Sequence, residues 1–316
     1  MRCFIIYVSL IALAFGSVAQ AQQESAAGHR LIANQGPHLY LFDSAGTLDW
    51  EMKLKGAPHD LHLLKNGNLL THQRTEVIEI DLKEKSIVWS FDAKKLAKAE
   101  KIEVHSVAPL KNGNIMIAVS GERKIFEIDR DGNVQHSIEL KVDHPHVHRD
   151  TRLVRPLDDG GYLVAHEGDG VVRQYDRDGE VTWEYAIPMF DRKPAKGHGV
   201  DSFGNAVFSA IRLKNGNTLI GTGNGHSVLE VSPEKKIVWK LEQNDLKGIQ
   251  LAWVTTLESH EDGSLVIGNC HAGKANPQLI KIDRDKNVLW QFRDFEKLGN
   301  SVSNSQILDA TGGVIR

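Results

Sequence analysis

Apolar and polar residues alternate along this chain in short runs, the period of half-buried β-strands. Around Asn66 four such runs follow one another, at about 59–65, 68–73, 76–81 and 87–91. The first two are separated by Asn-Gly, a two-residue hairpin signal in which both residues tolerate positive φ. The phrase recurs as Leu64-Lys-Asn-Gly-Asn68, Leu110-Lys-Asn-Gly-Asn114 and Leu213-Lys-Asn-Gly-Asn217, with weaker copies at 157–161, 260–264 and 308–313. The turn glycines (Gly67, Gly113, Gly160, Gly216, Gly263 and Gly312) give a period of about 48 residues, that of a four-stranded propeller blade.

A second phrase follows the first in each copy. It reads Ile128-Asp-Arg-Asp-Gly132, Tyr175-Asp-Arg-Asp-Gly179 and Ile282-Asp-Arg-Asp-Lys286, with variants at Ile80-Asp81 and Val231-Ser232. Asp and Gly there make a second tight turn. Shortly afterwards stands Trp50, Trp89, Trp183, Trp239 or Trp290, with His136 in the remaining copy. Early in the fourth strand, so large a ring is expected to wedge neighbouring sheets together. The segment 31–52 matches the later part of a repeat and 303–316 the missing opening. Joined, they make a sixth blade and remove free sheet edges. The expected fold is all-β: a six-bladed propeller of four-stranded antiparallel blades, closed by the two ends of the chain.

Composition narrows the context. Net charge is −3 and acids and bases are interspersed, with no basic stripe or base-stacking motif, so nucleic acid is not the expected partner. Arg2, an apolar run over 3–16 and Ala19-Gln20-Ala21 read as a secretory signal cleaved after Ala21. That leaves 22–316 as a single propeller domain bound for the periplasm or the exterior. The apolar run is shorter than the ~20 residues of a membrane span, and no later segment is long enough. Cys3 and Cys270 are the two cysteines, so the mature chain has no internal disulfide and is held by burial. The Lys-rich stretch 93–101 reads as a short solvated helix.

In a meander the turns alternate between two faces. Asn-Gly and Asp-Arg-Asp-Gly turns share one face and are short. The connections into the next blade, at 92–104, 141–151, 186–205, 243–252 and 293–302, are long and share the other, which marks it as the working face. Ten of the 15 histidines map there. Eight residues before each turn glycine stand His59, His105, Arg152, Phe208, Thr255 and Asn304, which should ring the mouth of the channel. His59, His105 and Arg152 are the candidate catalytic residues. His148, His166, His198, Trp253, His271 and Asn304 are candidate ligand contacts.

Three kinds of chemistry fit this ring. Imidazoles from adjacent blades, with Asp60 or Glu103, could hold a divalent transition metal. They could act as acid-base groups beside Arg152, which suits a carboxylate, sulfate or phosphate. Each histidine could equally serve only to satisfy backbone groups. The run His144-Pro-His-Val-His148 has metal-like composition without a zinc-signature spacing. Cys270 could be a ligand or nucleophile, against the commoner buried thiol. His198 lies in the longest connection, a candidate lid, and Trp253 offers a stacking platform for a ring or sugar.

The paired phrases, and the form His59-Asp-Leu-His-Leu-Leu-Lys-Asn-Gly-Asn68, resemble bacterial propellers of the pyrroloquinoline-quinone-like repeat type and the repeats of arylsulfate sulfotransferases. The second resemblance implies histidines and an arginine at the channel mouth, one histidine carrying the sulfuryl group. His59, His105 and Arg152 are position-compatible. Quinone-dependent dehydrogenases are larger, with more blades and commonly an adjacent-cysteine disulfide that this chain lacks, so no bound quinone is implied. The expectation is an exported propeller binding a small anionic or sugar-like ligand, acting as a transferase or lyase with a histidine as base or nucleophile. A non-catalytic scaffold for protein or glycan is the alternative.

Overall fold

The computed structural model describes residues 28–316, so the expected signal lies outside the described residues. Six antiparallel sheets are arranged as blades. Blade 1 is composite, with Val302–Ile307 as its inner strand followed by Leu31–Gln35, His38–Phe42 and Leu48–Lys53. Blades 2 to 5 run in sequence from Leu61–Leu63, Glu103–Pro109, Val154–Pro156 and Ser209–Arg212 outward. Blade 6 starts at Trp253–His260. Each inner strand contacts the inner strands on both sides, closing a ring about the axis. Closure uses the pairing Leu31↔Ile307, Ile32↔Gln306 and Ala33↔Ser305, as the complementary ends of the sequence require.

Burial grades outward along each blade. The second and third strands are almost wholly buried, whereas the outer strands alternate with solvent, as in Ser86–Asp92. The apolar core lies between blades: Leu70, Val77 and Phe91 of blade 2 pack with Val107, Ile117 and Phe126 of blade 3.

The repeated turns prove to be clasps. Trp89, Trp183 and Trp239 each donate Nε1–H to a carbonyl in the next blade's second turn, those of Arg130 (2.9 Å), Pro233 (3.0 Å) and Arg284 (2.9 Å). His136 makes the same bond to Arg177 at 2.8 Å. The turn arginines reach back to buried glutamates of the preceding blade: Arg130 to Glu79 (2.5 Å), Arg177 to Glu127 (2.5 Å) and Arg284 to Glu230. Asn66 and Asn68 of the first turn donate to the same Glu79, and Asn217 to Glu230. The two phrases therefore recur together because together they hold one buried carboxylate.

Three details differ from the sequence expectation. The Asn-Gly turns are three-residue loops in which only the glycine has positive φ, 85° at Gly67, because the Asn66 side chain is occupied in accepting the Asn68 amide. The stretch 93–101 forms only a 3-10 turn at Ala93–Lys95, capped by Asp92. Beyond it Lys98 and Ala99 donate their amides to Glu122 rather than to a helix. After Ile307 the chain also does not end in its turn. Val314–Ile315 pair with Ser259 and His260 as a fifth strand of blade 6, and Arg316 enters the channel to meet Ser305 O at 2.7 Å and Asn304 Oδ1 at 3.1 Å.

His136 occupies the position that the other five copies give to tryptophan. His136→Trp is expected to raise the unfolding free energy by about 1 kcal/mol, since indole can donate to the same carbonyl and bury more area. His136→Ala should lower it by about 1 kcal/mol. Urea midpoints check both; a destabilised tryptophan variant would show that this gap is closed around imidazole.

Candidate functional site

The mouth residues owe their direction to irregular strands. Register shifts interrupt the inner strands at Val104/Ser106, at Val254/Leu257 and opposite Ala33/Gln35, where Val302 to Ser305 lie. A bulge re-aims the side chain it carries, and these positions are His105, Thr255 and Asn304.

His59, His105 and His148 come together. Their ring centroids lie 4.9 Å apart for His59–His105, 5.2 Å for His105–His148 and 6.3 Å for His59–His148. Glu103 Oε2 lies 2.7 Å from both His105 Nε2 and His148 Nδ1. Burial alone would raise the Glu103 carboxyl, but these bonds outweigh it and hold the group well below the usual carboxylate range. Burial, reinforced by His105 and Arg152, keeps the His59 imidazole far below its ordinary value. Among the described residues nothing hydrogen-bonds the His59 ring, and its buried Nδ1 has no partner. The His59 backbone is held instead, its N–H donating to His72 Nε2 (2.8 Å) and its carbonyl accepting from Asn304 Nδ2 (2.7 Å).

Arg152 is buried, pairs through Nε with Glu167, and lies 5.6 Å from the Phe208 ring. Its Nη1 is buried without a partner. Across the mouth His198 contacts Trp253 (5.0 Å) and His271 (5.1 Å). Both groups line one cavity of about 470 Å³, with Arg149, Lys196, Phe208, Thr255 and Ser303 between them. Three cations, Arg149, Arg152 and Lys196, thus face one carboxylate, Glu167. A second cleft, lined by His59, His105, Arg74, Lys94 and Lys101, adjoins it. The interior of the channel holds paired polar groups rather than apolar side chains: Asp60 receives Arg155 (2.9 and 3.1 Å), His62 (3.2 Å) and Ser106 (2.5 Å).

Other candidates fall elsewhere. His166 is not among the cavity's lining residues; its Nδ1 donates to Asp150 O (2.7 Å) and its Nε2 accepts from Tyr175 (2.9 Å), inside blade 4. Asn304 sits behind His59 and positions it. The run at 144–148 diverges: His144 turns to Asp169 (3.1 Å), His146 accepts from the His148 amide, and only His148 reaches Glu103. Asp60 points into the channel toward Arg155, leaving Glu103 as the carboxylate of the histidine cluster. Cys270 lines the cavity, but burial pushes its thiol up to about 12, so it is no thiolate at neutral pH. Glu167 went unread in the sequence, although it follows a strand end opening on the working face.

A closed six-bladed propeller with a polar, cationic mouth is the class that this fold and site define. Residues 36–292 match the family model described as outer membrane protein assembly factor BamB, a pyrroloquinoline-quinone-like repeat family, and the chain belongs to that family. Among solved structures, a protein of unknown function from Bacteroides caccae is similar at 23% identity and a TM-score of 0.74, over 88% of this chain and 98% of that one. A streptogramin B lyase matches at 10% identity and a TM-score of 0.57, over 87% and 86% of the two chains. A catalytically inactive virginiamycin B lyase from Staphylococcus aureus, solved with quinupristin, matches at 11% identity and 0.53, over 87% of each. At these identities the likeness establishes the fold alone. No curated protein matches the sequence. No helix among the described residues is long and apolar enough to cross a membrane.

His166 gives a pH signature. Burial lowers its pKa from 6.5 to about 4, so the unfolded chain takes up a proton that the folded chain refuses. The resulting stability is complete above pH 6.5 and is lost as pH falls toward 4, by about 1.4 kcal/mol per unit. His166→Asn, which keeps a donor for Asp150 O, should therefore lose stability less steeply across that window, by about 3 kcal/mol in all. Equal slopes in denaturant titrations at pH 6.5 and 4.5 would refute the account.

Proposed function

We propose that this protein is an exported ligand-binding propeller that takes a small anionic, ring-bearing molecule in its mouth cavity. His59 acts on that molecule as base or nucleophile, and Arg152 steadies the negative charge, as a transferase or lyase requires. The observation that carries this reading is the pair of buried polar groups without partners, His59 Nδ1 and Arg152 Nη1, on residues lining the same cavity. Buried polar groups ordinarily find partners, and a ligand anion would supply one to the guanidinium. The cation excess selects charge, Trp253 and His198 offer faces for a ring, and the volume suits a small molecule. Two of the solved structures similar in fold are lyases, which supports a lyase among the candidate activities. Family membership favours a second reading, a non-catalytic scaffold that binds a protein partner across this face.

Calorimetry with 4-nitrophenyl sulfate, 4-nitrophenyl phosphate and 4-nitrophenyl glucuronide separates the two. At least one aryl anion should bind, and Arg152→Met should weaken it about 10–100-fold, the worth of one charge-assisted hydrogen bond. His59→Gln should retain binding while slowing turnover about 100-fold or more. Absence of binding by all three probes, or equal binding by Arg152→Met, would favour the scaffold.

A further inference from the structure

Glu103, His105 and His148 meet at the partition between the mouth cavity and its neighbouring cleft. One ligand-capable atom from each lies within 4.8 Å of the other two, the one such trio of His, Cys, Asp or Glu among the described residues. Their hydrogen bonding conflicts as it stands. His105 Nδ1 lies 2.9 Å from the Thr151 carbonyl, and a carbonyl only accepts, so Nδ1 carries the hydrogen. In the neutral ring Nε2 then presents a lone pair. Yet Nε2 lies 2.7 Å from Glu103 Oε2, and an ionised carboxylate is also only an acceptor. A neutral His105 cannot donate to both acceptors, and a metal ion placed between Nε2 and Oε2 would satisfy both lone pairs.

A metal ion placed there would meet one lone pair from each of the three residues, His105 itself being only 1% exposed and held from behind by Thr151. We infer that Glu103, His105 and His148 form a divalent transition-metal site, with a Glu103 carboxylate oxygen, His105 Nε2 and His148 Nδ1 as ligands. Two imidazoles and one carboxylate are a donor set that zinc uses in catalytic sites, where water or substrate takes the fourth position. Nitrogen donors favour zinc, cobalt or nickel over magnesium or calcium. Thr151 supplies the outer hydrogen bond that fixes the tautomer of a ligating histidine. Ligand bonds of about 2.0–2.2 Å place tetrahedral ligand atoms about 3.3 Å apart, so the 2.7 Å pairs open by roughly half an ångström on binding. The exposed His148, in the connection between blades 3 and 4, can make that shift.

This goes beyond the proposed ligand and is read without it. Purified, untagged, metal-stripped protein would be titrated calorimetrically with zinc chloride alone, and its visible spectrum recorded with cobalt(II) chloride. One equivalent should bind, with the ligand-field bands of a four-coordinate cobalt ion. Glu103→Gln and His148→Ala should each weaken zinc by about 100-fold or more, beyond the 10–100-fold that outer-shell changes bring. His148 is exposed, so that variant keeps the fold even where His105→Ala does not. His144→Ala, in the same connection but paired with Asp169, should leave the affinity unchanged. Absence of stoichiometric zinc, wild-type affinity in both ligand variants, or equal weakening by His144→Ala would overturn the assignment.

Discussion

Six wedge-shaped sheets surround an axis only while each is fastened to both neighbours, and here a buried glutamate does much of that fastening. Glu79, Glu127 and Glu230 stand on third strands, almost without solvent, and each takes an arginine from the next blade. An unpaired carboxylate in that position would be strongly destabilising, because a buried charge without a partner loses its hydration for nothing in return. The blade that carries the glutamate therefore folds stably only beside the blade that carries the arginine. Tryptophan reinforces the dependence from the outer strand, donating to the same turn. Pairing of Val302–Ile307 with Leu31–Gln35 closes the ring, so no blade can leave without breaking two interfaces.

This division of labour frees the opposite face. The short turns are committed to clasping and cannot vary much without losing a glutamate's partners. The long connections carry no such duty, and they supply His148, Arg149, Lys196 and His198 to the cavity. Chemistry gathers where the ring needs least from the chain, while rigid inner strands fix where His59, His105 and Arg152 begin.

The period, the blade count and the closure were legible because turn chemistry is local: Asn-Gly and Asp-Arg-Asp-Gly mark strand ends whatever surrounds them. The eight-residue register reached the mouth because it counts back from a turn that recurs at the other end of every inner strand, and His59, Arg152, Phe208 and Thr255 all line the cavity. Pairings between distant residues were not legible. Nothing near Glu103 in sequence announces His148, and Glu167 gains meaning only once Arg152 lies beside it. His166 has the same pattern as the others, yet Tyr175 and the Asp150 carbonyl turn its ring into blade 4. Lys98 and Ala99 read as helix until Glu122 takes their amides.

The polar filling of the channel follows from the same register. One residue beyond the mouth positions stand Asp60, Ser106, Ser209, Thr256 and Ser305, with Leu153 the one apolar member, a mainly polar belt where an apolar plug would have served burial better. Asp60 is bonded by Arg155 and Ser106, lies 3.2 Å from His62 and also accepts from the Leu61 amide. Arg155 outweighs the burial that would raise its carboxyl, keeping the group ionised. Such a buried ion pair adds little net stability over apolar groups of equal size. What it adds is direction, since bidentate geometry between Asp60 and Arg155, with Ser106 between them, tolerates little sliding. Those three residues belong to blades 2, 4 and 3, the blades that present His59, Arg152 and His105. The buried triad thereby ties together the strand starts on which the mouth chemistry depends, holding them to hydrogen-bond tolerance where packing alone would leave freedom.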